Sequence, residues 1–160
     1  MRPFTTLILA AAGSLAVAAP AAAQDRPQTW EACLAEQAEN LNVDCVKAEQ
    51  VGRPPRKAKP KTPRTVRVTW SLGGCAGQEA TSWQWQVRIL RDDRRGTYIP
   101  AEAPDGTRRY LFGGDTRTGS REIKLRPGAY HVDMAIEHAT SPDGGDCTGT
   151  DLRSPRFVVR

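Results

Sequence analysis

The chain has 160 residues, 23 Lys plus Arg against 18 Asp plus Glu, a net charge of +5 and four cysteines; that length holds one ordinary domain with extensions. Seven of the basic residues (Arg53, Arg56, Lys57, Lys59, Lys61, Arg64 and Arg67) fall in one window without acids, and setting them and Arg2 aside leaves 15 basic against 18 acidic residues. The folded part is therefore mildly acidic, which argues against sequence-specific nucleic-acid recognition and places the high isoelectric point in a single segment.

Residues 1–23 combine Arg2, an apolar run from Phe4 to Ala19, and Pro20 before Ala21-Ala22-Ala23. A positive start, an apolar middle and a small-residue site read as a secretory signal cut after Ala23. The run is short and Ala-rich against the roughly 20 strongly apolar residues of a spanning helix. Nothing later in the sequence is apolar enough to span a bilayer. The mature protein is expected to be periplasmic or secreted, with no membrane span. In that oxidising setting Cys33, Cys45, Cys75 and Cys147 are expected to form disulfides. None stands in a C-x-x-C pair and only two histidines are present, so no metal site is expected. Spacing alone leaves three pairings open.

Residues 24–52 read as a helical hairpin. Trp30, Cys33, Leu34, Ala38 and Leu41 recur at helical spacing behind a Thr29 N-cap, with Glu31 in the first turn. Asn40 and Asn42 suggest a turn, after which Asp44 would cap a second short helix. One straight helix would hold Cys33 and Cys45 about 18 Å apart. A disulfide needs alpha carbons within about 7 Å, so bonding this pair demands a reversal of the chain.

Residues 53–64 are a basic, Pro-rich linker bearing Arg53, Arg56, Lys57, Lys59, Lys61 and Arg64. Prolines among like charges favour an extended, self-repelling spacer. The plain reading is a solvated connection; the functional one is weak electrostatic contact with anionic envelope surfaces.

Residues 65–160 carry short strand candidates at regular spacing: TVRVTWSL, SWQWQVRIL, TYIPAE, RRYLF, REIKL, AYHVDMAIEH and RFVV. Gly-, Pro- and Asp-rich breaks separate them, as in an all-β sandwich. Alternation puts Trp83, Trp85, Val87 and Ile89 on one face of their strand and Gln84, Gln86 and Arg88 on the other. The tryptophans therefore belong to a core, not to a sugar-stacking platform. Asp143, Asp146 and Asp151 sit in a Gly-rich stretch whose spacing is not that of an EF-hand, and they read as turn formers.

VRVTWSL, WQWQVRIL and IKLRPGAYHVDMAIEHA resemble the second, third, fifth and sixth strands of a fibronectin type III domain, an immunoglobulin-like antiparallel sandwich. The family's core Trp maps onto Trp70, and its L-x-P-G-x-Y-x-V corner onto Leu125, Pro127, Gly128, Tyr130 and Val132. The first strand is not evident, and no Arg-Gly-Asp precedes the last strand. The resemblance implies that Cys75 and Cys147 lie in loops at one end of the sandwich and pair there, leaving Cys33 with Cys45. It also implies that the third and sixth strands are neighbours, so that Gln84, Gln86, Arg88, His131, Asp133 and Glu137 make one polar patch.

No hydrolase elbow, zinc-protease, P-loop or dinucleotide motif occurs. His131 reads as a surface histidine and His138 as a half-buried polar contact near a strand end. The expectation is a non-enzymatic binding module without cofactor, recognising an envelope polymer or a protein. The alternative is an exported inhibitor that plugs an enzyme with the Cys75–Cys147 loops.

Overall fold

The computed structural model describes residues 29–53, 61–75, 78–92, 97–104, 106, 110–140 and 146–160. Among these residues one helix, α1 (Trp30–Glu39), precedes β1 (Cys45–Gln50), β2 (Arg64–Ser71), β3 (Ala80–Asp92) and β4 (Tyr98–Pro100). Then come β5 (Leu111–Gly114), β6 (Thr118–Leu125), β7 (Gly128–Thr140), β8 (Asp146–Arg153) and β9 (Phe157–Val159). They form two antiparallel sheets in a β-sandwich-like arrangement. One sheet has the order β1-β2-β6; the other runs β4-β3-β7-β8, with β5 also on β3 and β9 also on β7.

The element after Asp44 is a strand, which corrects the expected second helix. The reversal demanded by the cysteines is made at Asn40, whose side chain accepts from Asn42 N at 3.0 Å. Cys33 and Cys45 are bonded, with alpha carbons 5.9 Å apart. Returning as β1, the chain pairs with β2 from Cys45 opposite Ser71 to Gln50 opposite Val66. This adds a strand that the sequence did not announce. A helix there would have left one edge of β2 without backbone partners.

Helix α1 is N-capped by Thr29, whose hydroxyl accepts from Ala32 N at 3.1 Å. Its apolar stripe is not a core face: only Cys33 is buried and Ala38 is exposed. The helix docks by polar means instead. Gln37 Nε2 donates to Val43 O at 2.7 Å and Ser71 O at 2.9 Å, and its Oε1 accepts from Ser71 Oγ at 2.7 Å.

The core lies between the sheets, fed by alternate residues of β2, β3, β6 and β7. Each fully buried Val, Ile or Leu contributes roughly 1.5–3 kcal/mol relative to exposure. At its centre Trp70 and Trp85 meet at 4.6 Å between ring centroids, with Phe112 edge-on to Trp85. Both indole N–H groups donate to Thr116 O, at 3.2 and 3.1 Å, so neither loses its hydrogen bond on burial. Glycines make room for the rings. A Cβ on Gly114 would stand 2.5 Å from Trp85 Cζ2, and one on Gly119 2.6 Å from Trp70 Cζ2. Trp83 points the same way but is half-buried, donating to Gly73 O at 3.0 Å. Tyr130 is buried at the β6–β7 corner, and its hydroxyl donates to Arg126 O at 2.7 Å.

Candidate binding face

Because β3 alternates, its core residues dictate what faces outward. Gln84, Gln86 and Arg88 are exposed. The pairing of β3 with β7 sets Glu137 opposite Gln84, Ala135 opposite Gln86, Asp133 opposite Arg88 and His131 opposite Leu90. All six residues of the expected patch thus share one side of one sheet. They divide into three environments.

Gln84, Gln86 and Glu137 line an open groove of about 610 Å³ together with Gly113, Ala135 and Asp115. The floor is low for a simple reason. In register, Gln86 lies between Gly113, which has no side chain, and Ala135, which has one methyl. Gly113 must stay bare, since a Cβ would come within 2.8 Å of Trp85 O. Carboxamides offer donors and acceptors, and the carboxylates of Glu137 and Asp115 offer acceptors. The groove therefore suits a ligand rich in hydroxyl, amide or cationic donors and is unsuited to an anion.

Arg88 and Asp133 belong to a charge row across the strands. Arg153 grips both oxygens of Asp133 at 2.6 and 3.1 Å, and Arg88 stands 3.9 Å away. The bond to Asp133 raises the Arg153 pKa further above its ordinary value, holding the guanidinium charged. Asp133 is committed to this row and forms its fixed centre.

His131 corrects the expectation of a surface histidine: it is 9% exposed. Tyr98 of β4 lies edge-on at 5.0 Å, Nδ1 is 3.2 Å from Ser154 O, and Nε2 is 3.4 Å from Asp92 Oδ1. Asp92 in turn accepts from Arg156 Nε at 2.7 Å. The covering groups come from β4 and the β8–β9 turn, so nothing near His131 in sequence announced its burial.

His138, expected to be half-buried, is fully buried. Its Nε2 lies 3.2 Å from Asp44 Oδ1, which also accepts from Gly73 N at 2.8 Å. Burial raises the Asp44 pKa, and the Gly73 N–H and His138 oppose that rise. This cluster ties β1, the turn after β2, and β7 together. Among the described residues, no group of three or more His, Cys, Asp or Glu is placed to hold a metal ion.

The basic segment divides too. Arg64 is not a free linker cation: it opens β2, is buried, and donates through Nε to Arg160 O at 3.0 Å and through Nη1 to Thr62 O at 2.7 Å. Arg53 and Lys61 are exposed, while Arg56, Lys57 and Lys59 lie outside the described residues. Since Val51 N donates to Thr65 O at 2.9 Å, this segment connects two neighbouring strands of one sheet. Cys75 is disulfide-bonded, and the side chain of Cys147, its expected partner, lies outside those described. Residues 1–23, expected to be a signal peptide, lie outside the described residues as well. No helix among the described residues is long and apolar enough to cross a membrane.

Sequence reasoning missed Gly113, Ala135 and Asp115. Gly113 falls in a Gly-rich break of the sequence, and nothing local there shows that β5 lies beside β3. No family model, curated protein or solved structure matches this chain.

Proposed function

We propose that this chain is an exported, non-enzymatic binding module with a fibronectin type III-like sandwich, recognising an envelope polymer or a protein partner through the outer face of β3 and β7. The strand orders β1-β2-β6 and β4-β3-β7-β8 and the buried corner tyrosine support the fold reading. The observation that carries the functional reading is the groove over Gln84, Gln86 and Glu137, an open polar trough on a rigid sheet. Its rigidity follows from the core beneath, because Trp85 and Ile136 are buried below it. A preformed site loses little ordering entropy on binding.

The Pro-rich connection adds salt-sensitive attraction to anionic surfaces, and the apolar run of residues 4–19 supports export. Fold likeness alone names no ligand. The test is capture from the native envelope by the immobilised chain, compared with a Gln84→Ala, Gln86→Ala, Glu137→Ala variant. Loss of one captured component, with unchanged melting, is the expected result. Undiminished capture by the variant contradicts the face. Salt-resistant, stoichiometric capture of a single enzyme, lost only when the loop around Cys75 is altered, would establish the inhibitor reading instead.

A further inference from the structure

The end of the sandwich where β2 and β7 begin carries a second surface, remote from the groove. Five exposed cations reach it from separate places: Arg53 after β1, Lys61 before β2, Arg91 at the end of β3, Arg126 between β6 and β7, and Arg160 after β9. Backbone pairing gathers them. Arg91 stands opposite Tyr130, whose hydroxyl bonds Arg126 O. Arg160 N donates to Gln50 Oε1 at 2.8 Å, next to the Val51–Thr65 bond that closes β1 on β2.

None of the five side chains has an ion-pair partner among the described residues, whereas Glu49 and Asp92 at the same end are bridged to Lys47 and Arg156. Among the described residues, then, no carboxylate side chain is paired with these five cations. Exposed apolar side chains flank the same end. Of the five exposed large hydrophobic residues described, Val51, Ile99 and Val158 belong to this end, while Tyr98 beside it packs against His131 and Arg153 and Leu111 lies elsewhere. Ile99 is paired with Arg91, and Val158 with Ala129 beside the β7 start, so the two flank this end from opposite faces of the sheet.

A soluble polyanion calls for cations alone and gains nothing from valine and isoleucine left in water beside them. A bilayer surface uses both, since anionic headgroups meet the cations while apolar and aromatic side chains enter the headgroup–acyl boundary. We propose that this end of the molecule docks on an anionic lipid surface, leaving the groove facing away for its own ligand. The inference does not depend on what the groove binds.

The test is sedimentation of the processed chain, residues 24–160, with vesicles of phosphatidylcholine alone and of phosphatidylcholine mixed with phosphatidylglycerol. Binding should require the anionic lipid and weaken with salt. It should drop about 25-fold in Arg91→Gln, Arg126→Gln, at about fivefold for each cation. Arg91→Lys, Arg126→Lys should keep it. Ile99→Ser, Val158→Ser should weaken vesicle binding yet leave retention on heparin unchanged, which separates a lipid surface from a soluble polyanion. Residues 54–60 stay untouched in every variant, so their charge cancels in the comparison. Equal binding to neutral vesicles, no binding to either, or vesicle binding indifferent to Ile99→Ser, Val158→Ser would overturn the proposal.

Discussion

Where β1 begins and β7 nears its close, the sandwich is held by groups that must match one another. A disulfide joins α1 to β1, and Asp44 accepts from Gly73 N and faces the buried His138. Gln37 bridges Val43 and Ser71. Where β2 and β7 begin, two of the fastenings run from side chains to main-chain oxygens, Tyr130 to Arg126 O and Arg64 to Arg160 O, beside the exposed Arg156–Asp92 pair. Fastening through main-chain acceptors leaves neighbouring side chains uncommitted. The difference teaches that the exposed charges at the second end can be varied with little loss of stability, while at the first end a change at Asp44 or His138 strands a buried polar partner.

The largest effect that probes this contrast is loss of the Cys33–Cys45 bond. Cys33→Ser, Cys45→Ser should cost about 3 kcal/mol by chemical denaturation, because the bond closes a short loop in the unfolded chain. A change under about 0.5 kcal/mol would mean that Gln37 alone seats the helix. Asp44→Ala should follow at about 2 kcal/mol, since it leaves the Gly73 N–H and His138 without their acceptor.

Asp44→Asn sharpens the same point through pH. Burial raises the folded carboxyl's pKa above the ordinary value of 3.8. A raised pKa means that the carboxyl's stabilising contribution is fully present below about pH 3.8 and is lost as pH climbs through the folded value. The stability of Asp44→Asn relative to the parent should therefore rise over that climb and then level off. A flat or falling difference would show that the carboxylate is not held against its burial.

At the other end, Tyr130→Phe should cost about 1 kcal/mol, the value of one net hydrogen bond. Arg91→Gln, Arg126→Gln should stay within about 0.5 kcal/mol of the parent, as befits exposed, unpaired charges.

What could be read from sequence followed from periodicity. In β2, β3 and β7, strict alternation of Val, Ile and Trp with polar residues announces both the strand and its inner face. The corner at Pro127 and Tyr130 was legible for the same reason: its residues are adjacent in the chain. β1 was not, because four of its six residues, Lys47, Ala48, Glu49 and Gln50, are good helix formers, and the segment becomes a strand through the free edge of β2. β8 was missed because DCTGTDLR has a glycine and two aspartates, and it is recruited by pairing with β7 and by the grip of Arg153 on Asp133. Of the site, alternation and the family resemblance gave the common face of Gln84, Gln86 and Glu137. The groove itself needed Gly113 beside Gln86, and the burial of His131 needed Tyr98 across it. Neither contact leaves a local trace in the sequence.

The account rests on β3 turning its odd-numbered side chains toward a dry interior, so that the even-numbered ones form the recognition face. Proton exchange of the four indole N–H groups, followed by NMR in deuterated water, tests this most directly. The signals of Trp70 and Trp85, which share Thr116 O, should persist long after that of Trp30 at the start of α1 has exchanged. If the Trp85 proton exchanges as fast as the Trp30 proton, the ring is wet and the recognition face has been assigned to the wrong side of the sheet.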